Sequence, residues 1–287
     1  MSTQITTAFV EQYSSNIQML SQQKGSILRD KVRLESVTGK NAFFDQVGSV
    51  TASVRSTRHS DTPQSNTPHS RRRVSLVDYE FADLIDDLDK VRMLVDPTST
   101  YALAAAYAMG RAMDDAIIAA ALGASDTGVA GGTSVALPSG QKITESGTAG
   151  LTIAKLRQAK EIIDLNSVDP SLPRHIIVSP KQITDLLGTT EVTSSDFNTV
   201  KALAQGDINT FLGFNFIVSN RLAIASNKRK CIAFVSDGIA LAVGKDSTAR
   251  IDERADKGYA TQVYYCASFG ATRMEEEKVV KIEAHEA

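Results

Sequence analysis

Metal or nucleophilic chemistry would have to come from four histidines, His59, His69, His175 and His285, and two cysteines, Cys231 and Cys266. Zinc sites take their ligands in pairs a few residues apart, and no two of these residues lie that close. Both cysteines sit in apolar runs and read as small core residues rather than disulfide partners or nucleophiles. Phosphate cradles of the G-x-x-x-x-G-K-[ST] or G-x-G-x-x-G kind are missing. Gly244-Lys245 is followed by Asp246, the glycines at 128–132 do not join a strand to a helix, and there is no G-x-S-x-G elbow. Carboxylates cluster at Asp86, Asp87 and Asp89, at Asp114 and Asp115, and at Glu275, Glu276 and Glu277. Adjacent residues on a helix point about 100° apart, so none of these sets forms an acid/base pair. They read as solvated faces. The expectation is no catalytic residue, no cofactor and no metal.

One charge pattern asks for a different use. Arg55 to Arg73 holds five arginines and one acid, whereas Asp78 to Asp89 holds six acids and no base. Two unrelated solvated segments would account for it. So would an intersubunit contact in which Arg58, Arg71, Arg72 and Arg73 of one subunit meet Asp83, Asp86 and Asp87 of a neighbour, since arginine–carboxylate pairs fix register. On that reading, reversing Arg71, Arg72 and Arg73 to Glu blocks assembly and leaves the subunit folded. No aromatic residues are interleaved with the arginines, which weakens a nucleic-acid role.

These residues need elements to position them. Phe9, Tyr13, Ile17 and Leu20 recur at helical spacing and suggest an arm that docks elsewhere, with Phe9, Tyr13 and Ile17 as contact residues. From Val47 the period becomes two. Val50, Ala52 and Val54, then Val74 and Leu76, predict a long two-stranded ribbon with a flexible tip at 58–70. Such a ribbon is marginal alone and needs a partner surface. Phe81, Leu84, Ile85, Leu88, Val91 and Leu94 predict a helix. A second helix, opened by Asp96-Pro97, runs from 100 to 122. It is apolar almost all round apart from Arg111, Asp114 and Asp115, as befits a spine packed on several sides.

A glycine-rich stretch follows, with VALPSGQKI as a small hairpin. Beyond it, helix and strand alternate. TIAKLRQAKEIIDL is a helix and RHIIVS a buried strand. In SPKQITDLLG, Ser179 caps, Gln182 completes a capping box and Gly188 stops the helix. GFNFIVSN is a strand. CIAFVSDGIALAV is a hairpin turning at Asp237-Gly238. Two further strands flank 274–278.

The bulk properties agree with a folded protein. The 287 residues suit one large domain or two ordinary ones. A hydrophobic content of 42%, a charged content of 22% and a net charge of −2 argue against disorder and against a surface that coats nucleic acid. The N-terminus carries no signal-peptide pattern. The longest apolar run, Tyr101 to Gly110, is about half a membrane span, so no membrane partner is expected.

The order of parts resembles the major capsid protein of tailed bacteriophages, the Hong Kong 97-like shell subunit, over nearly the whole chain. The residues that carry the resemblance are KVRMLVDP, the spine AMGRAMDDAIIAAALG, PRHIIVSPKQITDLL, FLGFNFIVSN, CIAFVSDGIALAVGKD and GYATQVYYCASFGATRMEEEKVVKIEA. The resemblance implies an α+β fold with an N-terminal arm (1–46), an extended loop (47–79), a peripheral domain (80–150 and 256–287, spine 100–122) and an axial α/β domain (151–255). It implies a protein without enzymatic activity that assembles as pentamers and hexamers into an icosahedral head shell. The shell would be made in the host cytoplasm and become part of the virion.

Scaffold and portal proteins, a decoration protein and weakly contacted double-stranded DNA are the further partners implied. The chain begins at Met1 and enters the arm at once, which points to a separate scaffold protein. The alternatives are an encapsulin-like compartment, a tail or baseplate protein and, from a different class, a small α/β enzyme at 151–250 binding a phosphorylated ligand.

Overall fold

The structure is a computed structural model describing residues 21–55, 57–59, 61–62, 64–86, 98–145, 147–188 and 210–286. In chain order come strands β1 (Arg33–Ser36), β2 (Asn41–Val47), β3 (His69–Ser75) and β4 (Val77–Ile85), then helix α1 (Thr98–Leu122). Strands β5 (Ser125–Thr127), β6 (Thr133–Val135) and β7 (Lys142–Ile143) lead to helix α2 (Ile153–Leu165), strand β8 (Arg174–Val178) and helix α3 (Pro180–Leu187). The remainder is β9 (Thr210–Phe211), β10 (Phe214–Val218), β11 (Ile224–Ala225), β12 (Lys228–Val235), β13 (Ile239–Arg254), β14 (Ala260–Arg273) and β15 (Val279–His285). The chain divides into two units. One holds Asp78–Ala112, Lys245–Ser268 and residues 21–26, and the other Ile27–Val77, Met113–Gly244 and Phe269–Ala287.

The larger unit is built on a sheet ordered β7-β15-β12-β8-β10-β9, with β11 paired to β12. Its central strands are apolar on both faces, so both faces must be covered. Ile176, Ile177, Phe234, Val279 and Ile282 have no exposure, and α2 supplies Leu156, Ala159 and Ile163 to the same core. Burial of each such large side chain stabilises by about 1.5–3 kcal/mol. The local signals work as expected. Thr152 caps α2 by accepting from the Lys155 backbone N–H, and Ser179 and Gln182 form the capping box of α3. Gly188 ends α3 with φ −76°, so the stop does not use a left-handed glycine.

Four local expectations are corrected. Residues 81–85 are the end of strand β4, not the start of a helix, and 87–97 lie outside the described residues. Tyr79, Phe81 and Ile85 alternate inward along the strand, and a set spaced by two and four fits either period. The ribbon pairs Asn41–Val47 with His69–Ser75, so its first strand precedes 50–54, which carry no ladder. Small alternating residues with no partner surface cannot hold a strand alone. VALPSGQKI is not a hairpin, because β6 pairs with β5 and β7 runs parallel to β15, where Ile143 is buried. Nor is CIAFVSDGIALAV a hairpin. Gly238 N–H closes a tight turn on the Val235 carbonyl at 2.8 Å, yet β12 lies between β15 and β8 while β13 joins a second sheet ordered β1-β13-β14-β4. Two doubly buried strands need four covered faces, and separate sheets provide them. The expected arm helix at Phe9, Tyr13 and Ile17 lies outside the described residues, as does Asp87.

Candidate assembly interface

The ribbon root is a third sheet, ordered β2-β3-β5-β6. Its small core joins Ala42 and Val74 to Ala242, with Val37, Phe44 and Leu76 packed against them. The three consecutive arginines lie on β3, where successive side chains point to opposite faces. Arg71 and Arg73 share one face. Arg71 Nε donates to Asp45 Oδ1 at 2.5 Å, and its guanidinium stands 5.5 Å from the centre of the Phe43 ring. Its hydrogen bond holds the Asp45 carboxyl below its usual range. Arg73 Nη2 donates to Asp126 Oδ2 at 2.6 Å, and its stem lies where any side chain at Gly131 (φ +65°) would stand.

Arg72 points the other way and is 8% exposed. Its Nε donates to the Met274 carbonyl at 2.9 Å and its Nη2 to Glu276 Oε2 at 2.5 Å. All three arginines therefore engage carboxylates of their own chain. Reversing Arg72 would bury a carboxylate beside Glu276, so a triple reversal would not leave the subunit intact. Of the other residues singled out from sequence, Arg58 and Asp86 are exposed. Asp83 is an exposed residue of β4 whose carboxylate accepts from the Leu84 backbone N–H at 2.9 Å.

Beyond the root, every described residue from Val47 to Ser70 is exposed. That includes Val47, Val50 and Val54, the last 93% exposed. The Gly48 N–H donates to the Pro68 carbonyl at 2.8 Å and closes the base of this tip.

The charged residues of the spine helix all find uses. Arg111 Nη1 donates to Gln22 Oε1 at 2.9 Å and to the Gln23 carbonyl at 3.2 Å, and a Cβ at Gly110 would collide with the backbone of Gly25 and Ser26. In the larger unit, buried Asp114 accepts from the backbone N–H groups of Ile27 and Leu28 at 3.2 and 3.1 Å, and Asp115 takes a bidentate bond from Arg221.

Sequence reasoning missed the polar groups that lock the larger unit. Arg273 has no exposure, and donates to the carbonyls of Ala121 and Gly123 at 3.1 and 2.6 Å and of Val135 at 3.0 Å. The period of two running inward through Ala267 and Phe269 was the available signal for it. Buried Lys155 donates to the carbonyls of Ala149, Gly150 and Glu283 and pairs with Glu145 at 2.5 Å. Glu286 accepts from Arg229, Gln182 and Ser179, and these bonds, Arg229 first, hold its carboxyl down at about 2. Burial pushes the Cys231 thiol up to about 12, as suits a core residue. Cys266 instead is half-buried on the outward face of β14, where Lys245 Nζ donates to its sulfur at 3.1 Å. It is not the core residue its apolar run suggested, because Val263 and Ala267 take the inward positions. Among the described residues no group of three metal-ligating side chains converges, and no described helix is long and apolar enough to cross a membrane.

A family model described as phage capsid protein matches residues 5–286. The chain belongs to the phage capsid protein family. The fold of this capsid protein is also that of solved phage capsids. The capsid of cyanophage P-SCSP1u is 18% identical with a TM-score of 0.77, covering 100% of this chain and 96% of that one. The capsid of Ralstonia phage GP4 is 13% identical with a TM-score of 0.76, over 97% and 96% of the two chains. That of Helicobacter pylori bacteriophage KHP30 is 12% identical with a TM-score of 0.71, over 99% and 97%. No curated protein matches the sequence. The capsid protein is thus a mixed α+β structural protein of the phage head shell, not an enzyme.

Proposed function

We propose that this capsid protein self-assembles as pentamers and hexamers into the icosahedral shell that encloses the double-stranded DNA of a tailed bacteriophage. The parts take the Hong Kong 97-like roles: arm at 1–46, extended loop at 47–79, peripheral domain at 80–150 and 256–287, axial domain at 151–255. One observation carries the reading. The ribbon tip exposes all its described residues, valines included, and no described strand lies between Val47 and His69 to pair them, so its apolar side chains lack a covering surface. A neighbouring subunit would supply the missing surface. Scaffold and portal proteins are the assembly partners, a decoration protein would bind the finished shell, and DNA would be contacted weakly, since the chain carries a net charge of −2.

The test is expression of the full chain, alone and with its neighbouring gene products, followed by light scattering and negative-stain microscopy. Closed particles, or free pentamers and hexamers, are expected. A monomer that persists in the presence of those products would overturn the proposal. Particles filled with protein cargo instead of DNA would make it an encapsulin-like compartment.

A further inference from the structure

One face of the central sheet carries more positive charge than its own chain answers. In the ladder between β12 and β15, Lys228 stands opposite His285, Lys230 opposite Glu283 and Ile232 opposite Lys281, and β7 sets Lys142 beside Lys281. Paired residues share a face and alternate residues return to it, so Lys142, Lys228, Lys230 and Lys281 form one cluster within the larger unit. All four are half-buried, as lysines are when the stem lies on protein and the ammonium meets water. The reverse face of the same strands, with Cys231, Ala233, Val280 and Ile282, has no exposure.

The one carboxylate on this face of the three strands is Glu283, which pairs with Lys281 at 2.7 Å. Lys228 donates to the Glu145 carbonyl, and the Glu145 carboxylate is taken by Lys155 at 2.5 Å. Lys142 and Lys230 form no hydrogen bond or ion pair with a described residue, and neither ammonium nitrogen is buried. Like charges side by side on a sheet are destabilising, so Lys142 beside Lys281 is a pairing that folding alone does not favour.

We propose that this lysine platform binds the phosphate backbone of the packaged duplex. The inference rests on the shell reading above and locates the DNA contact that reading leaves unplaced. Ammonium groups are compact charges with three rotatable donors, which phosphate oxygens accept in many orientations. No arginine fork stands on this face of the three strands to read a base edge, so the contact is independent of sequence. The net charge of −2 averages over the whole chain and hides this local excess of four lysines against one glutamate.

Salt dependence tests it on free subunits of the full chain titrated with a short fluorescent duplex. Each lysine that neutralises a phosphate releases a counterion, so log K should fall linearly with log salt. Lys142→Gln with Lys230→Gln should weaken binding at least tenfold at about 50 mM salt and make the slope shallower by about 2. Its thermal midpoint should match or exceed that of the wild type, because a like-charge neighbour is gone. Lys40→Gln with Lys257→Gln removes the same charge from exposed positions elsewhere and should leave the slope unchanged. A wild-type slope in the Lys142→Gln, Lys230→Gln chain overturns the proposal. So does competition by polyglutamate that equals unlabelled duplex charge for charge, which assigns the face to an acidic protein segment.

A second measurement needs no variant. Lysine acetylation of wild-type particles, read by mass spectrometry, should modify Lys142 and Lys230 several-fold less in filled particles than in emptied ones. Equal modification means the duplex lies elsewhere. Particles forming normally beside either negative result would leave the shell reading standing and remove only this platform.

Discussion

His175 lies on β8 with its ring centre 5.5 Å from that of Phe234, and its Nδ1 makes no hydrogen bond. Burial, helped by the charge of Lys31, pushes its imidazole below the ordinary value of 6.5. The folded chain therefore resists a proton that the unfolded chain accepts. Stability from this residue is complete above pH 6.5 and declines as the pH falls below it. Carboxylates held down by their partners, such as Glu286 at about 2, give up their contribution only below about pH 4.5, so the two effects separate. His175→Phe should flatten the loss of stability between pH 6.5 and 5, measured as urea midpoints across that range. A wild-type slope in the variant would assign the titration to another group. The same residue scale explains why Arg71, Arg72 and Arg73 read alike in sequence yet differ in place. One is buried, two lie on the opposite face, and only strand parity separates them.

At the scale of elements, the spine helix shows how an apolar segment is ended and held. Its last carbonyls have no partners within the helix, and they sit at the negative end of its dipole. Arg273, arriving from β14, donates to Ala121 and Gly123 there. Arg273→Met keeps the volume and removes the donors, leaving the carbonyls of buried Ala121 and of Gly123 and Val135 unanswered and Glu276 with Arg72 alone. The expected cost is about 3–5 kcal/mol, read as a lower urea midpoint at unchanged slope. A change below about 1 kcal/mol would mean that water replaces the guanidinium. At the other elements, local chemistry determines the ends better than the partners. The capping box of α3 is legible in four residues, while the turn at Asp237-Gly238 is legible as a turn and misleading as a hairpin.

At the scale of the whole molecule, the subunit is locked by polar networks at the ribbon root and near the C-terminus, whereas the described residues of the ribbon tip are all exposed and add nothing to its core. Its role and its stability contribution therefore come apart. Replacing residues 49–67 by a short Asn-Gly turn should leave the thermal midpoint of the subunit within a few degrees and abolish closed particles. Differential scanning calorimetry and sedimentation measure the two halves. A large fall in midpoint would place the tip inside the subunit's own stability, against the observed exposure.

The amino-acid order alone determined which stretches are strands and helices over most of the larger unit, because the period of burial and the capping bonds are local. Ile176 to Val178, the helix from Ile153 and the Ser179–Gln182 cap are of this kind. It also showed that the histidines and cysteines lack the close pairing of a zinc site and that the phosphate-binding glycine motifs are missing. The tertiary structure decided what depends on distant partners: that 77–85 is a strand, that β12 and β13 part into different sheets, that Arg72 and Arg273 are interior, and that Asp114 holds residues 27 and 28. Each of these turns on which segment, a hundred or more positions away in most cases, arrives to cover a face or accept a proton. No local period encodes that arrival.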